Sequence, residues 1–198
     1  MVGMLARGRA PSRARYARPM DERVRLVTVD ERWQDRYRDV ATELSELVGG
    51  DRALLRLHHV GSTAVPGMLA KPTLDLMAPA ARWPLAAESV AALQAIGYVD
   101  HGENGLPGRR YFTLRGHAVH LHVIDAASGH LERHLAFRDL LRADPRARDR
   151  YARHKKELVT RYQGDRAGYV AGKDALVREL EARALSRRPD RSEEDRYR

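Results

Sequence analysis

The stretch HHVGSTAVPGMLAKPTLDL, residues 58–76, decides how this chain is read. A short apolar strand ends at Gly61-Ser62-Thr63, where free backbone N–H groups and two hydroxyls meet at a strand-to-helix junction. Such a junction is a natural cradle for phosphate. Gly61 lets the backbone approach a ligand, and Lys71 supplies a mobile positive charge. Asp75 lies on the next strand, where its carboxylate could hold a divalent cation beside the phosphates. The plainer alternative is a Ser/Thr helix cap, a turn and a surface Asp.

Outward from this stretch, the hydrophobic spacing alternates between strand and helix periods. Upstream, Val24–Val29 reads as a short strand. Glu31–Val48 reads as a helix capped by Asp30, with Trp33, Tyr37, Val40, Leu44 and Leu47 at helical spacing. Leu54–Val60 reads as a strand with Leu55, Leu57 and His59 on one face. Downstream, Thr73–Ala78 is a second strand and Pro84–Ile96 a helix stopped by Gly97. Arg110–Leu114 and Val119–Ile124 form a hairpin around Arg115-Gly116-His117. The remainder is helical: Leu131–Leu141, then Pro145–Tyr162 opened by Asp144-Pro145, then Arg166–Leu185 capped by Asp165. No internal repeat is present. The pattern predicts a mixed α/β (α+β) domain over residues 21–185, a mixed sheet flanked by helices with a helical C-terminal portion. Residues 1–20 and 186–198 lack apolar periodicity and read as disordered, dispensable charged tails.

Composition narrows the function classes. The 198 residues include no cysteine, which excludes disulfides, thiolate metal sites and a thiol nucleophile. The formal charge is +9, but residues 1–20 hold five Arg and no acid, residues 186–198 hold five Arg against four acids, and the rest keeps only +3. With aromatics at 6%, a nucleic-acid surface is disfavoured. There is no apolar run of membrane-span length and no signal-peptide core, so the chain reads as cytoplasmic with no membrane partner.

Three further groups could carry chemistry. His120 and His122 are two apart on one strand, so both imidazoles share a face. Beside Asp75 they would make a His-His-carboxylate set, better suited to zinc, iron, manganese or nickel than to magnesium. His58 and His59 add further candidate ligands, and a pair of half-buried sheet histidines is the bland alternative. Only four lysines occur, at 71, 155, 156 and 173. Tyr151, Lys155, Leu158 and Tyr162 form one helical stripe, and Tyr169, Lys173, Leu176 and Leu180 form another. An ammonium on an apolar stripe either snorkels to water or points into a ligand cleft. Arg138 and Arg142, one turn apart, could grip phosphate, or form a solvated face with Asp139. Arg109-Arg110 after a Gly/Pro loop is a weaker candidate of the same kind.

These blocks together resemble the GrpB family of bacterial proteins, assigned to the polymerase-beta-like nucleotidyltransferase fold. The resemblance runs over about residues 23–185. It is carried by His59-Val60-Gly61-Ser62-Thr63, Val65-Pro66-Gly67, Lys71-Pro72 and Leu74-Asp75. Pro107 to Phe112, His120-Leu121-His122-Val123, Phe137-Arg138-Asp139, Leu141-Arg142, Tyr151…Lys155 and Tyr169…Lys173 add to it. The resemblance implies a nucleotidyltransferase-like domain that binds a nucleotide or another phosphorylated small molecule and transfers a nucleotidyl group with a divalent metal (Mg, Mn or Zn). Under it, Gly61, Ser62, Thr63, Lys71, Arg138, Arg142, Lys155 and Lys173 bind phosphate. Asp75, His120 and His122 take the metal and the catalysis. The superfamily pattern asks for a second carboxylate two residues after the first and a third acid on a neighbouring strand. Met77 and the histidines stand there instead. A non-catalytic nucleotide-binding module and a metal-dependent hydrolase using Asp75, His120 and His122 therefore stand as alternatives.

Overall fold

A computed structural model describes residues 24–48, 56–80, 82–114 and 118–187. The expected tail 1–20, residues 188–198 of the expected C-terminal tail, the turn Arg115-Gly116-His117 and residues 54–55 of the predicted strand Leu54–Val60 lie outside them, whereas the last helix extends through Ser186. The chain runs β1 (Val27–Thr28), α1 (Arg32–Val48), β2 (His58–Val60), β3 (Leu69–Ala70) and β4 (Leu74–Ala80), then α2 (Ala87–Ala95), β5 (Tyr98–Asp100), β6 (Arg109–Leu114) and β7 (Val119–Asp125). Four helices follow: α3 (His130–Ala143), α4 (Pro145–Arg161), α5 (Arg166–Gly172) and α6 (Asp174–Ser186). A single turn of 3-10 helix, Ser62–Ala64, leaves β2.

The main sheet has the order β2-β4-β7-β6-β5, and β1 pairs with β3 beside it. Among the described residues only the central β4–β7 pairing is parallel. Period-two alternation divides the sheet into two chemically different faces. Leu74 and Leu76 of β4, Leu121 and Val123 of β7 and Phe112 of β6 join Val40 and Leu44 of α1 and Val90 and Leu93 of α2 in one buried cluster. Asp75, His120 and His122 occupy the alternate positions and lie on the other face. A second cluster joins β1–β3 to the C-terminal helices through Val29, Val65, Met68, Leu140, Leu141, Tyr151 and Leu180. Burying side chains of this size contributes about 1.5–3 kcal/mol each relative to exposure. The helices that carry the lysines are thereby tied to the Gly-Ser-Thr corner.

The mixed sheet flanked by helices is the expected one, and so are most caps. Asp30 accepts from the backbone N–H of Arg32 at 3.1 Å, and Asp144 accepts from Ala147 N–H at 3.1 Å with Pro145 at the first helical position. The last predicted helix needs correction: it breaks at Lys173 into α5 and α6. There Lys173 N–H bonds the carbonyl of Val170, three residues back, at 3.2 Å. Glycine just before the break weakens the helix interior, and a Cβ on Gly172 would lie 2.6 Å from Leu158 Cδ2, so any larger residue there would have to displace that side chain. The first strand is also shorter than expected, with only Val27–Thr28 paired. Among the described residues no helix is long and apolar enough to cross a membrane.

Candidate functional site

Asp75 is the centre of the site, and Gly61 is what lets it sit there. Gly61 has φ +70°, and a Cβ on it would lie 2.5 Å from Asp75 Oδ2 and 3.0 Å from Asp75 Cβ and Cγ. Glycine is therefore needed twice, for the left-handed backbone and for the close approach of the carboxylate. Parallel pairing sets Asp75 opposite His120 and Met77 opposite His122. Asp75 Oδ1 and His120 Nδ1 are 3.1 Å apart, and one ligand atom from each of Asp75, His120 and His122 lies within 4.8 Å of the others. The structure thus brings together the expected His-His-carboxylate set. Burial alone would raise the Asp75 pKa. The hydrogen bond and charge of His120, with His122 and Lys71, outweigh it and hold the carboxyl down at about 2. Burial pushes the His122 imidazole down to about 3, so it is neutral at physiological pH.

Tyr111 closes one side of this set. It stacks on His122 with centroids 5.0 Å apart and meets His120 edge-on at 5.5 Å, while the Arg109 guanidinium lies 5.3 Å above its ring. The sequence reading missed Tyr111. The signal was present, because pairing the two hairpin strands in antiparallel register sets Tyr111 opposite His122.

Three of the four lysines face the same region. Lys155 is 2% exposed; its ammonium donates to Ser62 Oγ at 3.0 Å and to the Leu69 carbonyl, and lies 4.5 Å from the Tyr151 ring centroid. Lys71 and Lys173 both address the Tyr169 ring, at 5.8 and 4.8 Å. Each lysine of this set loses basicity first through burial and next through a neighbouring cation, except that Asp75 opposes the drop at Lys173. Lys71 falls to about 8 and Lys155 to about 7. Arg166 adds a further positive field at Lys71 and Lys173, and the sequence reading had not singled it out. Neither stripe lysine is fully extended into water: Lys155 is buried on Ser62 and the Leu69 carbonyl, and Lys173 is half-buried against the Tyr169 ring.

Other expected phosphate ligands are committed to the scaffold. The Thr63 hydroxyl, 2% exposed, donates to the Thr73 carbonyl at 3.0 Å and lies 3.1 Å from His59 Nε2. Arg138 donates to the His59 carbonyl at 3.0 Å and pairs with Asp139 at 2.8 Å. Arg142 sends two bonds to the Ala64 carbonyl, at 2.8 and 2.6 Å. These arginines hold the backbone on either side of the Gly-Ser-Thr corner. His59 is no part of the metal-capable set: it is buried, stacked on Tyr37 at 5.1 Å and pushed down to about 4 by burial. Arg110 pairs with Asp100 at 2.6 Å, away from the histidines.

The family model described as GrpB protein matches residues 23–183. The chain is 34% identical over 164 residues to UPF0157 protein YqkA of Bacillus subtilis, covering 82% of this chain and 47% of that one. It is 36% identical over 182 residues to UPF0157 protein PA4798 of Pseudomonas aeruginosa, covering 87% of this chain and 72% of the other. It therefore spans about half of the first relative's length. Among solved structures, the conserved protein GrpB from Enterococcus faecalis superposes with a TM-score of 0.71 at 30% identity, over 82% of this chain and 98% of that one. A family match across residues 23–183, most of the chain, shows that this protein belongs to the GrpB family.

Proposed function

We propose that the region where Asp75 and Ser62 meet Lys71, Lys155 and Lys173 binds a nucleotide or a closely related phosphorylated small molecule, and that the protein transfers a nucleotidyl group with a divalent metal. The observation that carries the reading is the convergence of Lys71, Lys155 and Lys173 on the side of the site facing Asp75. Three partly desolvated ammonium groups repel one another in the empty protein, and a polyphosphate would neutralise them together. In this reading Ser62 hydrogen-bonds a phosphate oxygen and the lysines hold the negative charge that gathers on the departing pyrophosphate. Gly61 keeps the backbone close. Asp75, with the two histidines, would hold the metal, which supplies Lewis acidity at the phosphoryl group. Phosphoryl-type chemistry asks mainly for such positioning and charge neutralisation.

Met77 favours a second reading, a binding module without transfer. It is fully buried at the position where a second carboxylate would stand, packed with Val60, Ile124 and Leu131. Thermal-shift titration with nucleoside triphosphates and pyrophosphate, with and without divalent metal, tests binding. A ligand at a hundred times its dissociation constant adds about 2.7 kcal/mol. That shift should shrink in Lys173→Met and lose its metal dependence in Asp75→Asn. Incubation with α-labelled nucleotide then separates the two readings: label transferred to an acceptor supports transfer, whereas binding without turnover supports the module. Release of inorganic phosphate to water alone would instead identify a hydrolase. Absence of any nucleotide or pyrophosphate shift would refute the proposal.

A further inference from the structure

We infer that Asp75, His120 and His122 form a single-ion site that selects a late transition-metal dication such as Zn2+ over Mg2+. The inference rests on the reading of these three residues as a metal centre, and not on the nucleotide. Donor chemistry is the first ground. Two imidazole nitrogens and one carboxylate lie within 4.8 Å of one another, close enough for one ion to gather all three with small side-chain shifts. Imidazole suits zinc, nickel and cobalt, whereas magnesium takes oxygen donors in strict octahedra and keeps several waters.

The second ground is the seat that is missing. A second ion beside the first would call for a further oxygen donor, and the nearest place for one on the same strand face is two residues beyond Asp75. That position is Met77, wholly buried against Val60, Ile124 and Leu131. Among the described residues, Asp75, His120 and His122 are the one cluster of three or more ligating side chains close enough to share an ion. The third ground is orientation. The Tyr111 ring lies 29° from parallel to His122 and 81° from His120, so it packs against both imidazoles and fixes their planes. His122 Nδ1 is buried and has no hydrogen-bond partner. A polar atom so placed is costly unless something fills it, and an ion drawn into the cluster would tighten the surroundings of that ring.

The test uses untagged, chelator-treated full-length protein and the metal ions alone. Calorimetric titration should find one Zn2+ or Co2+ per chain, and no Mg2+ response at concentrations that saturate the response to zinc. His122→Ala should weaken Zn2+ binding by at least roughly 100-fold, since losing even a residue that merely supports a ligand costs 10–100-fold. Circular dichroism confirms that the variant is folded. His122→Asp, which exchanges a nitrogen donor for oxygen, should gain a Mg2+ response and lose preference for zinc. Equal responses to Mg2+ and Zn2+, Zn2+ binding indifferent to both His122 variants, or no metal binding at all would each overturn the inference. Those results leave the phosphate reading to stand or fall on titrating the wild type and Lys173→Met with pyrophosphate in the absence of metal.

Discussion

Replacing Lys155 with Met should stabilise the ligand-free protein at pH 7 and weaken its grip on phosphate. Burial, Lys173 and Lys71 together take the Lys155 pKa from 10.5 to about 7 against the opposing pull of Asp75. That drop corresponds to about 5 kcal/mol against carrying the charge in the fold. Methionine removes the charge and keeps most of the volume. The substitution also leaves the Leu69 carbonyl and Ser62 hydroxyl without their donor, which costs about 1–3 kcal/mol. It forfeits the contact with the Tyr151 ring as well, worth up to about 2 kcal/mol when desolvated. The balance favours Met by up to about 4 kcal/mol, a rise in Tm of up to roughly 8–16 °C. The sign against pH is equally specific. Between the folded pKa near 7 and the unfolded value of 10.5, the unfolded chain holds the extra proton, so wild-type stability rises with pH. The variant lacks this group, so its advantage is greatest below pH 7, shrinks as pH rises toward 10.5, and reverses at the top of that range, where only the lost hydrogen bonds remain. Urea unfolding of both proteins at pH 6, 7, 8, 9 and 10 measures the difference directly. A variant less stable than wild type by the same amount at every pH would show that the ammonium is fully compensated, and the reasoning would fail.

Gly61→Ala should cost about 1–3 kcal/mol from the left-handed backbone alone, with more from the displaced Asp75; chemical unfolding together with metal titration should show both losses. Arg142→Ala should destabilise by about 1.5–3 kcal/mol, because the buried Ala64 carbonyl loses a charged donor, yet leave pyrophosphate affinity per folded molecule unchanged. A selective loss of affinity would return Arg142 to the ligand site. Asp144→Ala removes the cap of α4 and the partner of Arg183, and should lower stability by about 0.5–2 kcal/mol in thermal melts without altering metal binding.

The fold was legible wherever local chemistry is unambiguous. Asp144-Pro145 can only open a helix, and two β-rich runs flanking a Gly turn pair as a hairpin. The site was legible through Gly61, Asp75, His120 and His122, since period two puts them on predictable faces. The stripe lysines stood out because a charge interrupts an apolar helical pattern. What failed did so for a physical reason. Arg138 and Arg142 look like anion ligands in sequence, yet their targets are the carbonyls of His59 and Ala64, residues 79 and 78 positions away. Backbone acceptors carry no sequence signature. Thr63 turned inward because the Thr73 carbonyl needed a donor. The break before α6 was hidden because helical periodicity continues through it, from Tyr169 to Leu176 and Leu180.

The single parallel pairing in the sheet also dictates when during folding the site comes into being. Asp75 and His120 meet across strands 45 residues apart, with α2 and the first two strands of the antiparallel meander between them. Such a junction closes a long loop before any contact rewards it, so it forms late compared with the β5–β6–β7 meander, whose pairings are local. Lys155 and Lys173 lie further along the chain, on helices packed against that corner in a shared buried cluster. A chain without that pairing would bring neither Asp75 to His120 and His122 nor Lys155 to Ser62. Occupancy by either ligand reports completion of the whole topology, and a ligand present during refolding should slow unfolding while leaving the early folding rate unchanged.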